Sequence, residues 1–210
     1  MITFACEKCG KSFSVPARFA GRKAHCKKCG GSVIVPQPSE RIAPAPPAGM
    51  VPMRTRRLLA DAEQMKSTFK EFGPIQILSM DGEPPDTYRI EYNLKSLEPG
   101  RDGRPVPRLK HTAEIQLTRD YPRVAPRCKL LTPIFHPNID PTTICVGDHW
   151  TAGERLADLV IRIGEMLAYQ AYNIKSPLDG EAAMWADLHA DKLPTDNRNL
   201  HPAAREEVGA

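Results

Sequence analysis

The six cysteines of this 210-residue chain sort by spacing into two groups with different chemistry. Cys6-x-x-Cys9 and Cys26-x-x-Cys29 are two pairs with 16 residues between them, each followed by a glycine, Gly10 and Gly30. Four thiolates on two such knuckles close a tetrahedral site at about 2.3 Å from Zn²⁺ and leave no position open for a substrate, so one structural zinc is expected. Cys145 stands apart, at the end of the proline-rich segment "HPNIDPTTIC" (His136–Cys145). Three readings are open to it: a buried small hydrophobe, a ligand of some further metal site, or a nucleophile on a loop. As a nucleophile, its thiolate would attack an activated acyl group, and the resulting thioester would stay reactive toward amines. Cys128, flanked by alternating apolar residues in "RCKLL", reads as a buried strand position. His149 follows Cys145 in a Cys-x-x-x-His spacing, but no second ligand pair lies nearby to complete a second metal site.

Composition sets the outer limits. Apolar residues make up 41% and charged residues 26% of the chain, the balance of an ordinary globular protein. No apolar run approaches the ~20 residues that span a bilayer, so no membrane partner is expected. The N-terminus "MITFACEKCGK" lacks the basic-then-apolar order of a signal peptide, so a cytoplasmic, reducing location is expected. A net charge of +4 is too mild to name a partner.

Residues 1–36 read as a zinc ribbon, too short to bury a self-sufficient core, so metal binding should supply its folding energy. Their seven Lys/Arg against one Glu give +6, which falls to about +4 once four thiolates and Zn²⁺ contribute −2. The basic residues then balance the thiolate cluster, which favours a docking or structural module over nucleic-acid contact. The segment resembles short ribbons at the N-termini of many bacterial proteins, which implies a bacterial source. Residues 37–52, "QPSERIAPAPPAGMVP", hold five prolines and read as an extended linker. Residues 53–193 carry steady periodic patterns, and 194–210 read as a polar tail.

The elements that must position Cys145 follow from periodicity. Leu58, Ala62, Met65, Phe69 and Phe72 recur at spacings of four and three, one helical stripe, which Gly73-Pro74 should end. "TYRIEYNLK" and "HTAEIQLT" alternate apolar and polar residues as half-buried antiparallel strands do, with "IQIL" and "RCKLL" as shorter strands on either side. "EPGRDGRPVPR" reads as the loop of a hairpin between the two best strands. Leu156, Leu159, Val160, Ile163, Met166 and Leu167 draw a second helix, and a third should run from about Asp179 to Ala190. Helix, strands, then helices define an α+β domain with helices on one face of a meander.

A Tyr-Pro turn in "DYPRVAP", the tripeptide His136-Pro137-Asn138, "IC" at Ile144-Cys145, Trp150 and "SPL" (Ser176–Leu178) follow one another in this order. In that order the chain is similar to the ubiquitin-conjugating enzymes over roughly residues 53–193. The resemblance implies a four-stranded meander with an N-terminal helix and C-terminal helices. It implies that Cys145 accepts a ubiquitin-like protein as a thioester from an activating enzyme and passes it to a lysine amine. Asn138 would donate to the tetrahedral oxyanion or hold the loop that positions Cys145. Pro137 restricts His136 to extended backbone, and His136 reads as structural rather than as a base. Ser176 stands where the family places an Asp or Ser before Pro-Leu and would position the incoming amine; Asp179 is either a second acidic group there or the cap of the third helix. Asp148 and His149 are candidates to modulate the thiol or the amine. Arg54, Arg56 and Arg57 match the basic face that the family turns toward its activating enzyme.

Departures from the family pattern narrow what the resemblance carries. The Asn138–Cys145 segment is one residue shorter than usual and the Cys145–Trp150 segment about three. Arg123 stands where ligase-binding members often have Phe, and Thr151-Ala152-Gly153 replaces a Ser-Pro-Ala loop, so use of a RING-type ligase is not implied. Two other classes compete: a non-catalytic ubiquitin-like-binding relative, which would typically lack the nucleophile, and a zinc-ribbon nucleic-acid or scaffold protein. Bacterial systems of this type serve antiviral defence in some cases.

Overall fold

The computed structural model describes residues 2–35, 51–146 and 150–202. The chain divides into two compact units, Met1–Met50 and Val51–Ala210.

In the first unit β1 (Ile2–Ala5) pairs antiparallel with β2 (Ser12–Val15), and β3 (Lys23–His25) with β4 (Ser32–Ile34). Each Cys-x-x-Cys-Gly is the turn of one hairpin. The Gly10 and Gly30 amides donate to the Cys6 and Cys26 carbonyls, both at 2.8 Å. Both glycines sit at φ 68°, a left-handed conformation that a side chain would strain. Cys6, Cys26 and Val35 are the buried hydrophobic residues among those described here, so apolar burial contributes little.

The second unit begins with α1 (Met53–Phe69). Its expected stripe faces inward, with Leu58, Ala62, Met65 and Phe69 buried. The helix ends a turn before Gly73-Pro74, because Lys70 is extended and Glu71 takes φ 59°. A four-stranded antiparallel sheet follows, built from β5 (Ile75–Gly82), β6 (Pro85–Tyr92), β9 (His111–Gln116) and β10 (Arg127–Leu130) in the order β10-β9-β6-β5. Tyr88, Ile90 and Tyr92 of β6 and Ala113 and Ile115 of β9 fill the inner face. On the outer face Glu114 lies between Arg89 at 3.5 Å and Lys129 at 2.8 Å. The expected hairpin loop holds two strands of its own, β7 (Ser96–Pro99) and β8 (Pro105–Arg108). Pro99, Pro105 and Pro107 hide this pairing from a propensity reading, since Pro is poor in strands except at edges. Leu97 of this ribbon packs with Phe135, and the Phe135 amide donates to the Leu97 carbonyl at 2.8 Å.

α2 (Leu156–Leu167) is the central helix, with nine residues buried. Tyr92 Oη donates to the Val160 carbonyl at 3.0 Å. A Cβ at Gly164 would come within 3.2 Å of Leu200 Cδ1 and 3.4 Å of Ile75 and Tyr92, so glycine permits this approach. Leu200 is 1% exposed, so the segment expected to be a polar tail packs against α2 through residue 200. Its isolated apolar residue carries no period that could have announced burial. α3 (Gly180–Leu188) completes the fold and rests on a small second core of Leu97, Phe135, Tyr169 and Ala182.

One polar network joins α1 to two loops. Asp61 is 3% exposed and accepts from Arg57 Nε at 2.8 Å and Tyr121 Oη at 2.6 Å. Arg57 also donates to the carbonyls of Ala152, at 2.9 Å, and Glu154. Arg54 donates to the Leu117 and Thr118 carbonyls. Of the three α1 arginines, Arg54 and Arg57 point donors at the protein while staying partly exposed, and Arg56 is exposed. Removing the carboxylate strands Arg57 and Tyr121. Asp61→Ala should lower the unfolding free energy by about 2–3 kcal/mol, less than for a fully buried pair because Arg57 reaches solvent. Tyr121→Phe should cost about 1 kcal/mol. Urea unfolding of the full chain measures both, and equal losses would contradict the central place of Asp61.

Candidate active site

The loop between β10 and α2 is organised by short-range hydrogen bonds. Asp140 Oδ1 accepts from the Thr142 amide at 2.6 Å, the Thr142 hydroxyl at 2.7 Å and the Thr143 amide at 2.8 Å. These donors, that of Thr142 foremost, hold the Asp140 carboxyl below its ordinary pKa. The tight turn brings the Cys145 amide to the Asn138 carbonyl at 3.0 Å, while the Ile144 amide donates to the Cys128 carbonyl at 2.9 Å. Ile144 and Val146 are buried on either side of half-buried Cys145. Neighbours in an extended segment point to opposite sides, so the two apolar anchors turn Cys145 toward the cleft. The shortened spacing from Asn138 is thus absorbed by one Asx turn.

The opposite wall is the C-terminal end of α2 and the loop after it. Asn138 Nδ2 donates to the Asn173 carbonyl at 2.7 Å, and the Asn173 amide donates back to Asn138 Oδ1 at 2.7 Å. The Pro137 carbonyl accepts from the Leu178 amide at 2.7 Å and the Asp179 amide at 3.1 Å. Tyr169 Oη donates to the Phe135 carbonyl at 2.8 Å. Between the walls lies a cleft of about 390 Å³ that Cys145, Asn138 and Ser176 all line.

His136 stands behind this cleft, fully buried, with its ring 4.7 Å from that of Tyr169. Its Nδ1 accepts from the Asn138 amide at 3.0 Å, so the proton belongs on Nε2 and the ring has no lone pair left for a substrate. Burial pulls its pKa down to about 3. The Asp179 carboxylate caps α3 by accepting from the Ala182 amide at 2.9 Å and is not among the cleft-lining groups. Asp148 and His149 lie outside the described residues. Trp150 Nε1 donates to the Pro122 carbonyl at 2.8 Å, tying the segment beyond Cys145 to the Tyr-Pro turn.

The ubiquitin-conjugating enzyme family model matches residues 85–193, just over half the chain and all of this site. The chain belongs to the ubiquitin-conjugating enzyme family. Two solved structures are similar to part of the chain. A protein described as a novel ubiquitin-conjugating enzyme is 19% identical over 67% of this chain and 94% of its own, with a TM-score of 0.49. A putative ubiquitin-conjugating enzyme from Plasmodium yoelii is 18% identical over 68% of this chain and 88% of its own, also at 0.49.

In this ubiquitin-conjugating domain the cleft also holds three polar residues that the sequence motifs do not mark, Arg162, Glu165 and Asn173. Arg162 and Glu165 line the same cleft as Cys145. They are three apart on α2, hence on one face, and they are the charged residues of the helix beyond its first-turn Asp158. That placement was the available signal. Asn173 had none, since it acts mainly through backbone atoms.

The cysteine cluster is a candidate metal centre. The four sulfurs lie within 4.8 Å of one another. Cys6 and Cys29 Sγ are 3.8 Å apart, and Cys9 and Cys26 Sγ 3.6 Å. These separations far exceed a disulfide bond of about 2.05 Å. They match the edge of about 3.8 Å of a tetrahedron with metal–sulfur bonds of about 2.3 Å. The residues therefore fit one metal ion.

Two buried histidines make the domain acid-sensitive. Burial lowers His136 to about 3 and His111 to about 4, from 6.5. Between those limits the unfolded chain binds protons that the folded chain excludes, so stability is full above about pH 6.5 and falls as pH drops. At pH 5 each histidine should cost about 2 kcal/mol relative to pH 7.5. Urea midpoints at the two pH values measure the drop, and His111→Gln should remove part of it; an unchanged drop would contradict the role of His111.

Proposed function

We propose that Cys145 receives the C-terminal carboxyl of a ubiquitin-like protein as a thioester from an activating enzyme and transfers it to a lysine amine. The observation that carries this reading is Cys145, turned into a cleft by buried Ile144 and Val146, beside an asparagine that binds both walls. The thiolate attacks the activated carbonyl and the activating enzyme's thiol leaves. An amine then attacks the Cys145 thioester through a tetrahedral oxyanion. Asn138 has two Nδ2 protons; one is engaged by Asn173, and the second is a neutral donor for that oxyanion. His136 is a positioning residue that holds the Asn138 amide. Ser176, exposed at the cleft, accepts a hydrogen bond from the incoming amine, and Asp179 acts on the site only by fixing α3. Among the three N-terminal arginines, Arg56 remains available to the activating enzyme. The setting we propose is a bacterial ubiquitin-like conjugation system, with antiviral defence as its candidate pathway.

Incubation with the activating enzyme and ubiquitin-like protein of the source organism, plus ATP, should yield an adduct that reductant removes on a gel. Cys145→Ala should abolish it, and Cys145→Ser should trap an ester that survives reductant. An adduct unchanged in Cys145→Ala would sink the assignment.

We further propose Zn²⁺ as the ion held by Cys6, Cys9, Cys26 and Cys29, where it supplies the folding energy that apolar burial does not. Metal analysis of reduced full-length protein should find one zinc per chain and less in Cys26→Ser; iron in its place, or no metal, would overturn this.

A further inference from the structure

Aminolysis requires the acceptor to lose a proton, because a lysine amine near neutral pH is an ammonium and has no lone pair. The position before Pro-Leu here carries Ser176, whose hydroxyl is a poor proton acceptor at that pH. Asp179 is engaged as the cap of α3, and Asp140 by three donors of its own turn. Among the described residues that line the Cys145 cleft, Glu165 carries the one carboxylate.

Its surroundings suit the task. Glu165 sits in the last turn of a helix that is buried along most of its length, so its backbone is rigid. Its carbonyl accepts from the Gln170 and Ala171 amides, which close the turn leading to the opposite wall. The neighbouring cation does not consume the carboxylate: Arg162 Nη1 is paired with Glu154 Oε1 at 2.8 Å, and Arg162 Nη2 reaches the Val146 carbonyl at 3.5 Å. His201 Nε2 lies 3.1 Å from Glu165 Oε1, and a carboxylate with one such partner retains acceptor capacity. Tyr172, 40% exposed, lines the same cleft and offers an apolar rest for an acceptor's side-chain stem.

We propose that Glu165 is the catalytic residue that takes the proton from the acceptor ammonium, a step that rests on Cys145 forming the thioester. The ammonium gives one proton to the Glu165 carboxylate. The freed nitrogen forms a bond to the thioester carbonyl carbon, and its carbonyl oxygen becomes the oxyanion. Collapse breaks the carbon–sulfur bond and releases Cys145 as a thiolate. The amide nitrogen then gives its second proton to that thiolate, which leaves an isopeptide and a neutral thiol. Nothing is oxidised or reduced.

The test uses full-length protein charged as above, then stopped by removing ATP and Mg²⁺, with the bound ubiquitin-like protein as the probe. Discharge is followed with free lysine and, separately, with hydroxylamine, an amine already neutral at pH 7. Glu165→Gln should charge as the wild type does and should discharge to lysine about 100-fold more slowly, the scale of a general base. Its discharge to hydroxylamine should change less than about twofold. Wild-type rates with both amines would overturn the role of Glu165, and so would equal slowing with both, which a merely structural effect produces. Asp148→Asn is the control in the neighbouring segment; a lysine-selective loss there, with Glu165→Gln unaffected, would move the base to Asp148 and overturn the proposal. Failure of the wild type to charge at Cys145 would instead refute the thioester reading itself.

Discussion

Asn138 carries four hydrogen bonds on which the cleft depends. Its backbone carbonyl receives the Cys145 amide, its side-chain amide exchanges two hydrogen bonds with Asn173, and its own amide is held by His136. The Cys145 loop and the facing loop therefore share one residue. A buried amide with unmet partners costs about 1–3 kcal/mol, so the reciprocal clasp is selected strongly over looser arrangements. Replacing Asn138 by an aliphatic residue of similar size would leave two Asn173 backbone groups without their partners.

What holds Asn138 in place lies one layer further in. His136 can accept from the Asn138 amide only as a neutral ring, and burial against Tyr169 keeps it neutral. Tyr169 in turn reaches Phe135, and Phe135 is anchored by Leu97 of the β7–β8 ribbon. A chain of packed aromatics thus runs from the β7–β8 ribbon to Asn138 beside Cys145. On the far side, Trp150 and the Arg57–Asp61–Tyr121 network tie the segment beyond Cys145 to α1.

The sequence was legible where one residue type has one physical reason to be there. Period-two alternation in 85–92 and 111–116 announced the sheet, since polar residues could only face outward. The paired Cys-x-x-Cys-Gly knuckles announced a metal cluster, because the glycines must take positive φ and the sulfurs then converge. Legibility failed where a residue's effect depends on distant partners. Leu200 is a lone apolar residue in a polar stretch, buried because Gly164 opens a seat for it. Asp61 looks like a solvated helix residue until Tyr121 and Arg57 surround it. Arg57 looks like a binding residue for the same reason.

By itself the sequence determined the family and the four-cysteine cluster of the ribbon, and it singled out Cys145 as the proposed nucleophile, because these depend on residue types at fixed local spacings. It also carried Asn138, though with two roles open. Among the described residues, the tertiary structure decided which carboxylate lines the Cys145 cleft: it turned Asp179 into a helix cap, held Asp140 in its own turn and brought Glu165 into the cleft. A carboxylate's chemistry follows from what surrounds it, and those surroundings come from loops and helices far apart in the chain.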